Sequence, residues 1–247
     1  MIRVRTFPTS DAVARALAAE IARSLKANPH LILGLPTGRT PIPLYRELVR
    51  LHASGRADFG RATTFNLDEF LGIASSDPRS YRAFMRRHLF DRVNLRRRRI
   101  HFLNGAAIDS RAECARYERA IARAGGIDLQ ILGLGRNGHI GFNEPGRVLT
   151  ADTHRVRLTA TTRRANASLF GNRAREVPGE ALSMGIGTIL RARKIVLVAT
   201  GANKGRAVLR TLCGTLTTRW PASFLQVHGN VEAWLDRAAA SRLSAVL

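Results

Sequence analysis

Short, continuously apolar runs alternate along this chain with stretches whose apolar residues recur every three or four positions. Val13, Leu17, Ile21 and Leu25 fall on one helical face, so a helix is predicted to about Leu25, capped by Ser10 or Asp11. His30–Leu35 is too short for a helix and apolar throughout, the pattern of a strand buried on both faces. Met1–Phe7, Thr63–Leu67, Asp128–Leu134 and Lys194–Thr200 are predicted as further strands. Further helices are predicted from Pro41 to about Ser54 and over Ser80–Leu89, Arg111–Ala124, Asn203–Leu212 and Asp236–Val246. Alternation of strand and helix implies an α/β fold, doubly wound (Rossmann-like), with a mostly parallel sheet and helices on both faces. No repeat, linker or low-complexity tract divides residues 1–247, so a single domain is expected. Residues 147–178 are polar, rich in Arg and Thr and less periodic, as an inserted lid would be.

Such strands end in loops, and an open α/β sheet binds its ligand outside the carboxyl ends of its strands. The loop Leu35-Pro36-Thr37-Gly38-Arg39-Thr40-Pro41 joins a strand to a helix. Gly38 lets backbone approach a ligand, Thr37 and Thr40 offer hydroxyls, and the helix start favours phosphate. It is neither a GxGxxG nor a Walker loop, and read alone it is equally an ordinary turn. Asp68 and Glu69 follow the next strand, where a carboxylate can serve as a general base or simply cap a helix.

The segment from Gly133 to Pro145 sets four glycines around Asn137, His139, Asn143 and Glu144. Glycines allow the tight turns that bring polar groups together, and histidine moves protons near neutral pH. There is no HExxH spacing and no second nearby His, which argues against a metal. Lys204 opens a further helix and suits a phosphate held there, although a surface lysine reads the same way.

Charge complicates the picture. Forty Lys and Arg against eighteen Asp and Glu give a formal net charge of +22. A balance this basic ordinarily suggests nucleic acid. Here the arginines are spread along the whole chain, with one dense run at Arg96–Arg99, and there are only three lysines, Lys26, Lys194 and Lys204. That distribution fits a solvated basic surface better than a specific nucleic-acid face, and an anionic small substrate would gain from the same field. Two cysteines, Cys114 and Cys213, far apart and outside any CxxC, fit a reducing cytoplasm. No apolar run reaches the ~20 residues of a membrane span, and the first residues carry no secretory pattern.

The segments LGLPTGRTP, TFNLDEFLGI, ILGLGRNGHIGFNEPG, ALSMGIGTILRARKIVLVATGANKGRAV and PASFLQVHGNVEAWLD together resemble the glucosamine-6-phosphate deaminase family, in its order and over almost the whole chain. The related 6-phosphogluconolactonases share a Gly-His segment but lack the FNEP continuation. The resemblance implies ring opening by His139 with Glu144 and Asn137, removal of the C2 proton by Asp68, and release of ammonia and fructose 6-phosphate. It implies that Thr37, Gly38, Arg39, Thr40 and Lys204 hold the phosphate, and that no metal or organic cofactor is needed.

Two departures stand out. Asn137 takes a position where some relatives have Asp. Ser168 stands where relatives usually carry an Arg that binds phosphate, leaving Arg163, Arg164, Arg173 or Arg39 as replacements. The stretch after NEP matches allosteric members poorly, so activation by N-acetylglucosamine 6-phosphate is not expected. The partner expected is a small sugar phosphate, without specific nucleic acid or membrane. A homo-oligomer stays open, since the family includes monomers and hexamers. Two other readings compete: a sugar-phosphate lactonase, and a sugar-phosphate-binding regulator, which the lack of a helix-turn-helix before the first strand disfavours.

Overall fold

The computed structural model describes residues 2–243. Ten strands and eight α-helices follow one another within these described residues. The strands are β1 (Arg3–Phe7), β2 (Ile32–Leu35), β3 (Thr63–Asn66), β4 (Asp68–Phe70), β5 (Ile100–His101), β6 (Leu129–Gly133), β7 (His154–Arg157), β8 (Glu180–Ser183), β9 (Lys194–Ala199) and β10 (Val231–Asp236). The helices are α1 (Ser10–Ala27), α2 (Ile42–Ala53), α3 (Tyr81–His88), α4 (Ser110–Arg123), α5 (Ala160–Asn166), α6 (Ile186–Leu190), α7 (Gly205–Cys213) and α8 (Arg237–Ala240).

Seven strands make one sheet in the order β1-β10-β9-β6-β2-β3-β5, every pairing parallel. Alternate residues of its central strands feed two apolar clusters. Leu33, Ile131, Val196 and Val198 pack with α1, α2 and α3. Ile32, Leu132, Ile195 and Leu197 pack with α4, α6, α7 and α8. Both faces are therefore covered, which is why these strands are mostly apolar, with Gln130 of β6 a buried exception. Chain order reverses between β2 and β6, and this switch point opens a crevice at their carboxyl ends.

A second, three-stranded antiparallel sheet, ordered β4-β8-β7, has no counterpart in the sequence pattern. It begins at Asp68 and incorporates His154–Arg157 from the segment expected to be irregular. The strand β10 is likewise absent from the pattern, because Glu232 interrupts its apolar run. That carboxylate is buried and lies 3.2 Å from cationic groups of Arg3, Arg5 and Lys194, so a charge sits inside the sheet.

Some helix ends differ from expectation. Thr9, not Ser10 or Asp11, caps α1 by accepting from the Ala12 N–H at 3.2 Å. The helix expected at Asn203–Leu212 starts at Gly205, after a 3-10 turn at Ala202–Lys204. The last predicted helix is the short α8, and residues 244–246 of that prediction lie outside the described residues. No helix among the described residues is long and apolar enough to cross a membrane.

Candidate active site

The turn after β2 carries Thr37, Gly38, Arg39 and Thr40 into α2. Gly38 has φ +94°, and no atom lies within 4 Å of where a Cβ would stand, so its constraint is the backbone turn itself. The Tyr45 hydroxyl donates to the Pro36 carbonyl and pins the turn from below.

The Asp68 and Glu69 carboxyls diverge from β4. The Thr37 hydroxyl lies 3.5 Å from Asp68 Oδ1, with the turn and the carboxyl thus side by side. Asp68 is buried, and burial, reinforced by neighbouring Glu69, pushes its carboxyl up to about 8. Glu69 instead accepts the N–H groups of Phe70, Tyr81 and Arg82, each at 2.9 Å, and closes the start of α3. Both acids are candidates in the sequence; the geometry assigns Glu69 to the scaffold.

The glycine-rich segment after β6 folds onto the second sheet. The Phe142 N–H donates to Ser183 Oγ at 3.1 Å, and Asn143 Nδ2 donates to the Met184 carbonyl at 2.8 Å. Ser183 is the register partner of Asp68, so β8 brings this segment to the Asp68 strand. Gly138 has φ +86°, and a Cβ there would sit 2.4 Å from the Trp220 indole; no other residue fits this turn unchanged.

Within the segment, Asn137 Nδ2 donates to Glu144 Oε2 at 2.8 Å, and Asn137 Oδ1 accepts from the His139 N–H at 3.3 Å. Glu144 Oε1 lies 3.8 Å from His139 Nδ1 and also accepts the Thr162 hydroxyl. His139 Nδ1 is buried and has no hydrogen-bond partner. Burial holds the imidazole below its ordinary range, Glu144 opposes that, and Lys204 adds to it. A neutral imidazole beside a carboxylate can accept or pass on a proton.

Lys204 Nζ donates to the Leu134 carbonyl at 2.6 Å, which places its ammonium at the base of the same segment. Burial lowers its pKa, and the positive charges of Arg136 and Arg39 lower it further. Among the described residues, none of these three cations forms an ion pair with an acid. Three unpaired cations in one neighbourhood form an anion-attracting corner.

Ser168 is exposed in a 3-10 turn at Ala167–Phe170, just after α5. Arg163 donates to the carbonyls of Val177 and Arg175, and Arg173 pairs with Glu176 at 2.9 Å. Of the arginines considered as replacements at Ser168, Arg39 alone joins the Lys204 corner; Arg136, which sequence reasoning overlooked, joins it too. Thr162 and Tyr81 also escape a reading of the sequence. Tyr81 donates to Asn166 Oδ1 at 2.7 Å; burial, and then the nearby Asp68 charge, raises its phenol well above the ordinary value. Polar residues spaced i, i+4 at Thr162 and Asn166 were the available signal.

A separate cavity of about 130 Å³ lies between α1 and α2, lined by Val13, Leu17, Arg39, Thr40, Leu44 and Thr200 among others. It borders the β2 turn but includes neither Asp68 nor His139, and its walls are mainly apolar. No group of three or more His, Cys, Asp or Glu suited to a metal occurs among the described residues.

Residues 8–234 match the family described as glucosamine-6-phosphate isomerases/6-phosphogluconolactonase. The chain is 46% identical over 225 residues to a glucosamine-6-phosphate deaminase of Thermoanaerobacter sp. (strain X514), covering 91% of this chain and 88% of that one. A deaminase of the same name from Halothermothrix orenii is 47% identical over 223 residues, covering 90% and 92% of the two chains. Among solved structures, a monomeric glucosamine-6-phosphate deaminase superposes with TM-score 0.94 at 42% identity, covering 98% of this chain and all of the other. A 6-phosphogluconolactonase from Trypanosoma cruzi superposes with TM-score 0.78 at 19% identity, a likeness of fold.

Proposed function

Because this chain belongs to the glucosamine-6-phosphate isomerase/6-phosphogluconolactonase family, we propose that it is an enzyme converting glucosamine 6-phosphate and water to fructose 6-phosphate and ammonia. The observation that carries this reading is the pairing of chemistries at one crevice: a buried carboxyl at Asp68 and a His139–Glu144 pair, stitched together through Ser183.

The steps follow from what each group can do. His139, with Glu144 and Asn137 behind it, moves the proton between the ring oxygen and the anomeric hydroxyl and opens the pyranose. Asp68 takes the C2 proton to give an enolamine, exchanges it with solvent, and delivers a proton to C1, leaving an imine at C2. Water adds to that imine and ammonia departs, so atoms balance with no redox change. A carboxyl held up to about 8 by burial is a stronger base than a solvated one, and it ionises more readily once the substrate ammonium arrives beside it. Thr37, Gly38, Thr40, Arg39 and Lys204 receive the phosphate, with Arg136 as an added cation. This chemistry needs no metal or organic cofactor.

We read residues 1–247 as one functional unit in which 147–178 forms a lid over the crevice. A place in amino sugar catabolism in the cytoplasm follows from the substrate. Lactone hydrolysis is the weaker reading: the likeness to lactonases is one of fold, at 19% identity, whereas the deaminases are 42–47% identical.

The test is an ammonia-release assay on glucosamine 6-phosphate in deuterium oxide, beside a lactonase assay on 6-phosphogluconolactone. Ammonia release with deuterium at C1 of the product is expected. Lactone hydrolysis without ammonia would overturn the reading.

A further inference from the structure

The helix α5 touches the site at two points from one face. Thr162 and Asn166 lie one turn apart, so their side chains project in the same direction. Asn166 Oδ1 accepts the Tyr81 hydroxyl at 2.7 Å, next to Asp68, and Asn166 Nδ2 donates to the Thr162 carbonyl at 3.0 Å. Thr162 reaches the other half of the site. It is 2% exposed, and its hydroxyl donates to Glu144 Oε1 while accepting from the Thr159 hydroxyl at 3.2 Å.

Glu144 is thereby held by two neutral donors, one on each oxygen: Asn137 on Oε2 and Thr162 on Oε1. A carboxylate oxygen has a second lone-pair direction. On Oε1 that direction is free to serve His139 Nδ1, 3.8 Å away, buried and unpartnered. With only the Asn137 bond, the carboxylate could pivot about one oxygen and move its charge away from the imidazole.

We propose that Thr162 is a positioning residue for proton transfer: its hydroxyl fixes the Glu144 carboxylate against His139 and so ties the seating of α5 to the readiness of that pair. The charged groups facing His139 are Glu144 in its own loop and Lys204 from the turn before α7. Glu144 raises the affinity of His139 for a proton and Lys204 lowers it, so a loosened Glu144 makes the imidazole easier to deprotonate.

The test uses the full chain with Thr162→Val, Thr162→Ser and Glu144→Gln. His139 is titrated by NMR without substrate, and kcat and KM are measured with glucosamine 6-phosphate. Thr162→Val is expected to lower the His139 pKa towards its value in Glu144→Gln. It should also cut kcat at least about 10-fold, a part of what a placed acid–base group contributes, with KM little changed. Thr162→Ser restores both, and Thr162→Val adds nothing further to the His139 shift in the Glu144→Gln background. Thr162→Ala replaces Thr162→Val if valine prevents folding. An unmoved or raised His139 pKa in the hydroxyl-free variant overturns the proposal. So does a serine variant as impaired as the valine one, which would mark mere packing. The kinetic arm rests on the deaminase reading, whereas the titration arm does not. A native protein without deaminase activity therefore sinks that reading and leaves Thr162 to be judged by NMR.

Discussion

The carboxyl groups of Asp68 and Glu69, adjacent on β4, leave the strand in different directions: Asp68 Oδ1 lies 3.5 Å from the Thr37 hydroxyl, while Glu69 is filled by three backbone N–H donors at the start of α3. Successive side chains of a strand point to opposite faces, so a pair that reads as one acidic motif divides into one group beside the crevice and one in the scaffold.

Asp68→Asn separates chemistry from folding. Turnover should fall by at least about 100-fold with KM little changed, because the amide keeps the shape and loses the basicity. Stability should move the other way. The folded carboxyl is raised from 3.8 to about 8, so its protonated form is favoured in the fold. That group costs the fold nothing at low pH and a growing amount as pH rises from about 4 to about 8. An asparagine side chain, which never ionises, escapes this cost. Denaturation at pH 4 and pH 8 should show the variant equal to the native protein at the first and more stable, on the order of a few kcal/mol, at the second. A variant less stable than native at pH 8 would contradict the buried, uncharged carboxyl.

Glu69→Gln should behave in the opposite manner. Glutamine offers one acceptor oxygen, and its amide N–H groups would face a backbone N–H. At pH 4 we expect about 1–3 kcal/mol lost from unfolding stability, the cost of leaving a buried backbone N–H without an acceptor. Burial raises the Glu69 carboxyl from 4.5 to about 7 despite its three donors, so the loss should shrink as pH rises through that range and the native protein comes to carry a buried charge. Specific activity per folded molecule should stay near native. Loss of kcat in fully folded protein would move Glu69 into the chemistry.

Much of this arrangement is legible in the chain because it rests on short-range signals. The strands β2, β6 and β9 are short and mostly apolar, and they, like β3, are followed by glycine or polar residues at the rim. Asp68, His139, Glu144 and Lys204 can be picked out on those grounds. What escapes depends on contacts distant in sequence. The buried Glu232 in β10 makes sense only beside Arg3, Arg5 and Lys194. Asp68 meets Ser183 across a sheet whose strands are too short to announce themselves. Thr162 becomes notable only once α5 sets it on Glu144, eighteen residues earlier in the chain.

The cationic corner predicts a split between binding and turnover. Lys204→Ala and Arg136→Ala should each raise KM for glucosamine 6-phosphate by roughly 10-fold, since a charge-assisted hydrogen bond contributes about 1.5–3 kcal/mol. Their kcat values should change little, because phosphate contacts are alike in ground and transition states. The same substitutions should leave kcat/KM for unphosphorylated glucosamine as it is in the native protein. An Arg136→Ala enzyme with native KM would remove Arg136 from the phosphate site, and lost kcat at native KM would place either residue in the chemistry instead.

Ser168 poses the sharpest question about that corner. Family resemblance expects an arginine there, and two of its neighbours in sequence are otherwise engaged: Arg163 on the Val177 and Arg175 carbonyls, Arg173 on Glu176, while Arg164 reaches the Thr161 hydroxyl at 3.4 Å. Arg39 and Arg136 remain unpaired close to Lys204. A sugar phosphate carries about two negative charges near neutral pH, and three cations already exceed that. Ser168→Arg in the native background should therefore lower KM by less than about 10-fold, because the charge it would meet is already matched. In the Arg136→Ala background the same substitution should recover most of the lost affinity, since it supplies a third cation from the turn at Ala167–Phe170. The measurement is KM for glucosamine 6-phosphate in the four proteins of this cycle, at fixed ionic strength because exposed charges are screened by salt. A gain well above about 10-fold in the native background, with no extra gain in Arg136→Ala, would mean that the native corner lacks a phosphate cation and that Arg136 does not supply it.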